Sequence, residues 1–168
     1  GVAGAPAGKE GGGGGMTMRL ATAADLPLIV ALTVAAYQPY TDAFGYPPIP
    51  VTEDYGPRVE RGEVWLRQVD DVVAGLAVVE RHSDHVMLFS IAVSPKFQRT
   101  GQGLAILSWL EAMAREWSVP ELRLYTNARM ERNIALYLAF GFHETGRRPN
   151  PHRPGWTIVD MAKTIDAG

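Results

Sequence analysis

No cysteine occurs among the 168 residues, which excludes disulfides, thiolate zinc sites and a thiol nucleophile. No apolar run reaches the roughly 20 residues that a membrane-spanning helix needs, and the N-terminus lacks the apolar stretch and cleavage pattern of a signal peptide. Positive charge is not in excess either. Sixteen Lys and Arg stand against 18 Asp and Glu, a net charge of -2, so there is no global basic footprint for nucleic acid. Histidine is scarce, four in all, and His82-x-x-His85 lacks the third ligand a zinc site requires. The expectation is a soluble, cytoplasmic protein with no metal, no membrane and no nucleic-acid partner.

What is present is ordinary globular material, 46% hydrophobic and 20% charged, at the length of one domain. Folding at this size buries about 70% of the unfolded surface. Residues 1–15 are the exception: they read GVAGAPAGKEGGGGG, can bury almost nothing, and are expected to be a flexible tail. Met16 or Met18 reads as the natural start, and residues 16–168 are expected to form a single domain.

Periodicity predicts a strand at 18–20 and then a helix over 25–37, with Leu26, Ile29, Val30, Val34 and Tyr37 at helical spacing. Pro39, Gly45, Pro47, Pro48 and Pro50 predict a loop over 38–51, followed by a short helix over 52–61. Strands are expected at 63–69 and 72–81 around an Asp70-Asp71 turn, and again at 85–93. The strongest helix signal spans 101–117, where Leu104, Leu107, Leu110, Ala114 and Trp117 recur at spacings of three and four. A strand at 121–126, a helix at 132–140 and a closing strand pair at 142–148 and 156–164 complete the order. Such an order fits a mixed α+β sheet with helices on its faces.

The chemistry is concentrated in residues 91–104, IAVSPKFQRTGQGL: a strand, a polar turn with two glycines, and the start of the long helix. The first N–H groups of a helix lack intrahelical acceptors and carry the positive dipole end. Gly101 and Gly103 let an anion approach that backbone, and Lys96 and Arg99 add charge. A nucleotide-triphosphate loop is excluded because no Gly-Lys-Ser/Thr follows. A dinucleotide fingerprint is excluded because seven residues, 94–100, separate the strand from the glycines.

Gln98-Arg99-Thr100-Gly101-Gln102-Gly103 resembles the Q/R-x-x-G-x-G/A signature of the GNAT acetyltransferase superfamily. Some 30 residues on, Asn133-Ile134-Ala135-Leu136-Tyr137 with Gly141-Phe142 resembles its second signature, N-x-x-x-Y-x-x-x-G-F. The resemblance covers about residues 18–163 and is to bacterial members whose substrates are mostly unassigned. It implies a GNAT fold: a central, mostly antiparallel mixed sheet of six to seven strands, a splayed parallel pair at 85–93 and 121–126, and about four helices. It also implies acetyl-CoA as co-substrate. The amides of Arg99, Thr100, Gly101, Gln102, Gly103 and Leu104 would hold the pyrophosphate, the main chain of Ile91, Ala92 and Val93 the pantetheine arm, with Gln98, Asn133 and Tyr137 also at the cofactor. A homodimer through edge strands near the C-terminus is in keeping with the family.

Direct acetyl transfer needs an amine that loses a proton and a thiolate that gains one. A tyrosine hydroxyl, with a pKa of about 10 against about 8.5 for a thiol, can supply the second proton, and Tyr137 is the candidate general acid. Where many members have a carboxylate on the strand before the loop, this chain has Met87-Leu88-Phe89-Ser90. Glu80 and Asp84 are the substitute bases, with His85 beside them, through a water chain. The burden depends on the acceptor: a lysine-like amine is unprotonated about once in 2,500 at pH 7, whereas an α-amine of pKa about 8 loses only about tenfold. Tyr37, Tyr40, Asp42, Phe44 and Asp54, with Tyr125, are the candidate substrate residues, since aromatic rings and carboxylates suit a cationic amine. The expected activity is acetylation of a small primary amine. The alternatives are acetylation of a protein N-terminus or ribosomal protein, and a non-catalytic acyl-CoA-binding module.

Overall fold

The computed structural model describes residues 17–166, so the expected Gly-rich tail lies outside the described residues. Seven strands form one mixed sheet in the order β1-β2-β3-β4-β5-β7-β6. They are β1 (Thr17–Leu20), β2 (Val64–Val69), β3 (Val72–Arg81), β4 (Val86–Val93), β5 (Glu121–Asn127), β6 (His143–Pro149) and β7 (Thr157–Thr164). Among the described residues there are five α-helices rather than about four: α1 (Leu26–Phe44), α2 (Ile49–Thr52), α3 (Tyr55–Glu60), α4 (Gln102–Glu116) and α5 (Glu131–Phe140). Contacts divide the described chain into two compact units. One takes in residues 17–79 and 90–106, the other residues 80–89 and 107–166.

In the first unit β2 pairs antiparallel with β1 (Leu20 opposite Trp65) and with β3 (Val64 opposite Val78). Asp70 and Asp71 both take positive φ, 49° and 65°, the backbone of a tight hairpin whose twist matches its strands. Val64, Leu66, Leu76 and Val78 are almost wholly buried. Gly75 is required: a Cβ there would lie 2.8 Å from the Ala92 carbonyl oxygen and 3.3 Å from Ile106 Cδ1.

Here the expected loop over 38–51 gives way to helix. α1 runs on through Pro39 to Phe44, and Gly45, at φ 78°, closes it with its amide on the Thr41 carbonyl at 3.0 Å. A mid-helix proline removes one hydrogen bond, at a cost of about 3 kcal/mol in isolation. Burial of Tyr37 and the Gln38–Asp42 side-chain bond (2.8 Å) hold the turns on either side. The buried stripe also differs from the expected one. Ile29, Leu32, Thr33 and Tyr37 are buried, while Val30 and Val34 are exposed. Thr33 can join the stripe because its hydroxyl donates to the Ile29 carbonyl at 2.7 Å. The expected helix over 52–61 is two pieces, split at Glu53–Asp54, and Asp54 caps α3 by accepting the Gly56 amide at 3.0 Å.

In the second unit β7 pairs antiparallel with both β5 and β6. The parallel ladder of β4 and β5 covers only Val86–Leu88 against Leu122–Leu124. β5 runs on to Asn127 paired with β7 instead, which is the splay the resemblance implies. Leu107, Leu110, Met113 and Ala114 bury the inner face of α4, but Leu104, placed by its spacing on that stripe, is 43% exposed in the first helical turn. On α5, Leu138 faces water at 52% exposure. The stripe of α5 follows Met130, Ile134 and Tyr137, spaced four and three.

Candidate functional site

The end of β4, the following turn and the first turn of α4 all belong to the first unit. Pro95–Phe97 make one 3-10 turn, with the Phe97 amide on the Ser94 carbonyl at 2.8 Å. The backbone then enters the left-handed region twice in three residues, at Arg99 (φ 64°) and Gly101 (φ 82°). For an arginine this costs about 1–2 kcal/mol, so the turn is held against a local preference. Left-handed residues within a turn bring successive N–H groups to one side, the nest geometry that receives anions. The Ala105 amide bonds back to the Gly101 carbonyl at 3.0 Å. The amides ahead of it are those a helix start leaves without intrahelical acceptors, at the positive end of a 15-residue helix.

A Cβ on Gly101 would meet nothing within 4 Å, so there is room beside the turn. Lys96 and Arg99 supply charge, and residues 94–104 include no carboxylate. These features fit a pyrophosphate. Gln98, Arg99, Thr100 and Gly101 are exposed, Gln102 and Gly103 half-buried. Ile91 and Ala92 are buried and Val93 is half-buried. Gln98 Nε2 donates to the Val93 carbonyl at 3.3 Å, the Thr100 hydroxyl donates to the Phe97 carbonyl, and Gln102 Nε2 donates to Thr100 Oγ1 at 3.3 Å. One participant was missed from the sequence. Buried Arg67, on β2, donates from Nε to Gln102 Oε1 at 2.8 Å. Its signal was an arginine directly after the three apolar residues that open the strand VWLRQV.

Of the candidate substrate residues, Tyr37, Tyr40 and Phe44 line one side of α1, and Tyr46 follows. Their ring centroids step by 6.4, 5.6 and 6.1 Å. Tyr37 is buried, its hydroxyl 3.0 Å from Ser90 Oγ and donating to the Ile91 carbonyl at 3.2 Å. Burial pushes its pKa up to about 12, so the hydroxyl remains a donor to the strand. Ser90 is thereby engaged by the Tyr37 hydroxyl. Asp42 is exposed and takes the Gln38 amide, and Asp54 is occupied as a helix cap.

In the second unit, Tyr137 is buried near the end of α5, and Asn133, one turn earlier, is half-buried. The second signature has a physical reading here. Gly141, at φ 115°, gives its amide to the Leu138 carbonyl at 3.1 Å, and the Phe142 amide reaches the Tyr137 carbonyl at 3.0 Å. These two bonds are a Schellman closure, and the apolar contact that accompanies it is the edge of Phe142 on the Tyr137 ring, centroids 5.7 Å apart. The Gly-Phe pair therefore stops the helix and sets the tyrosine ring.

Of the candidate bases, Glu80 is near the end of β3 and Asp84 is on the turn between β3 and β4. Glu80 lies 3.3 Å from His82 Nε2, Asp84 lies 2.7 Å from His85 Nδ1, and the two imidazoles stack at 4.5 Å. The His85 hydrogen bond, with the charges of His85 and Arg123, holds the Asp84 carboxyl below its ordinary range. Tyr125, on β5, is half-buried with the Arg148 guanidinium 5.5 Å above its ring.

The model of the Acetyltransferase (GNAT) family matches residues 30–142. Two curated relatives are [ribosomal protein bS18]-alanine N-acetyltransferases. The Salmonella typhimurium protein is 37% identical over 93 residues, 54% of this chain and 63% of that protein. The Escherichia coli K12 protein is 37% identical over 78 residues, 46% of this chain and 53% of that protein. The chain thus spans between about half and two thirds of the length of these relatives. Among solved structures, the ribosomal-protein-S18-alanine N-acetyltransferase of Escherichia coli superposes with a TM-score of 0.72 at 25% identity, covering 92% of this chain and 96% of that one. The PaiA N-acetyltransferase of Thermoplasma acidophilum, in complex with coenzyme A, shares the fold at a TM-score of 0.72 and 16% identity, over 89% of this chain and 99% of that one.

Proposed function

This chain belongs to the GNAT acetyltransferase family, and from that premise we propose that it moves an acetyl group from acetyl-CoA directly to the α-amine of a polypeptide N-terminus. The observation that carries the reading is the turn before α4, with its left-handed Arg99 and Gly101 at a helix start, whose first amides have no intrahelical acceptors. The amides of residues 99–104 would hold the pyrophosphate, and the main chain of Ile91, Ala92 and Val93 the pantetheine arm. When bound, acetyl-CoA supplies an activated acetyl group and a thiol leaving group. Tyr137, oriented by Phe142, gives its hydroxyl proton to the departing sulfur.

The acceptor follows from chemistry. Alanine has no side-chain amine, so an enzyme named for acetylating an alanine of a ribosomal protein acts on an α-amine. With a pKa of about 8, that amine needs only about a tenfold assist at pH 7, which suits a chain whose strand offers Ser90 in place of a carboxylate. Glu80, acting through water, is the base in this reading. Asp84, held below its ordinary pKa, is the weaker acceptor of a proton. The reading replaces the small-amine expectation, which now rests on the ring series of α1 and on Asp42.

Thiol release from acetyl-CoA, measured with an Ala-initiated peptide, its Nα-blocked twin and a panel of small amines, tests this. Turnover with the free peptide alone is expected. Turnover with small amines alone would restore the small-molecule reading, and coenzyme binding without turnover would leave an acyl-CoA-binding module.

A further inference from the structure

Arg67 is 7% exposed in the middle of β2. A guanidinium seldom goes inside a sheet without directed partners, because an unmatched buried charge costs several kcal/mol. Its place is prepared on both strands. Directly opposite stands Gly75, which offers no side chain, and the β2–β3 register shifts between Arg67 and Gln68. Such a bulge re-aims the side chain beside it. The position a Cβ on Gly75 would take is filled by the Ala92 carbonyl oxygen at 2.8 Å and by Ile106 Cδ1 at 3.3 Å, so β3 packs closely on the face where α4 begins, one turn before Ile106.

From there the hydrogen bonds run in one direction. Arg67 can only donate, and its Nε–H goes to Gln102 Oε1 at 2.8 Å. That fixes which way the Gln102 amide points, so its Nε2 donates to Thr100 Oγ1 at 3.3 Å. The Thr100 hydroxyl then spends its hydrogen on the Phe97 carbonyl. The chain crosses the turn on either side of Arg99, whose left-handed backbone has no local reason to persist.

We propose that Arg67 is a positioning residue for the anion-binding turn: through Gln102 and Thr100 it holds residues 97–102 in the nest conformation before any ligand arrives. The ligand half of the proposal rests on the acetyl-CoA reading above, but the preorganisation half does not. Hydrogen–deuterium exchange of the apo protein measures the latter. In Arg67→Met, amides 98–104 should exchange at least about tenfold faster, the loss expected for a hydrogen bond to a charged group, while the β2 and β3 amides keep their protection. Arg67→Lys, which retains charge but not the planar fork, should behave like Arg67→Met. Gln102→Leu breaks the same chain at its middle member and should speed the same amides, which covers the case in which Arg67 variants do not fold.

The turnover readout is a split: KM for acetyl-CoA should rise about tenfold in Arg67→Met, with kcat at saturation within twofold. Unchanged loop exchange in folded Arg67→Met or in Gln102→Leu overturns the proposal, as does wild-type exchange in Arg67→Lys. Absence of coenzyme binding by the wild-type protein, with exchange responding as stated, would instead overturn the acetyl-CoA reading and leave the positioning role intact.

Discussion

The turn that opens α4 and the turn that joins β3 to β4 are both short, polar and exposed, yet they are tied down in opposite ways. In the first, side-chain hydrogen bonds lead inward, from Thr100 and Gln102 to a buried guanidinium. In the second, the charges close on each other at the surface, Glu80 with His82, Asp84 with His85 and Arg123. The inward-braced turn holds a left-handed arginine, and in the proposed reading it keeps its main-chain amides for a ligand. The self-paired turn has its polar groups already matched and little to offer beyond a titratable carboxylate. Anchoring from beneath, rather than charge density, distinguishes the turn to which the proposed reading gives binding.

The largest effect that would sharpen this contrast is on the α4 side. Gly103→Asp sets a carboxylate beside the nest, and repulsion of about 4 kcal/mol for a charge at about 4 Å predicts roughly a thousandfold loss of coenzyme A affinity by titration calorimetry. Retained affinity would break the assignment of the turn. Next comes Tyr137→Phe, which should cut turnover by about a hundredfold or more and leave coenzyme affinity near wild type. A parallel loss of both would make Tyr137 a binding residue instead.

On the hairpin side the effects shrink. Glu80→Gln should lower kcat/KM by about tenfold at pH 7, and the deficit should vanish as pH rises past about 8, where an α-amine sheds its own proton. A pH-independent deficit would remove Glu80 as the base. Smallest is Asp84→Asn. Because the folded-state pKa of Asp84 lies below its ordinary value, its contribution to stability is present at neutral pH and is lost as pH falls through the carboxylate range. The variant should unfold with a shallower acid dependence and turn over within about twofold of wild type. A large activity loss would show that the hairpin does more than pair its charges.

The local backbone of the candidate site could be read in advance because it is set between near neighbours. Two glycines at fixed spacing after a strand, and Tyr137 four residues before Gly141-Phe142, each specify a backbone event within one turn of chain. α1 could not be read so directly. Pro39 is a local stop signal, and burial of Tyr37 against Ser90 and Ile91, more than fifty residues away, helps carry the helix past it. Arg67 was invisible for the same reason, its partner Gln102 lying 35 residues on.

The amino-acid order alone therefore determined the strand–turn–helix that can cradle a diphosphate, the closure that ends α5, and the family they announce, because those features arise between near neighbours. Folding decided which valines of α1 face water, why Gly75 must lack a side chain, and what steadies the turn. Those outcomes depend on groups that meet only when distant segments pack, where space and hydrogen-bond direction outweigh the propensity of any single stretch.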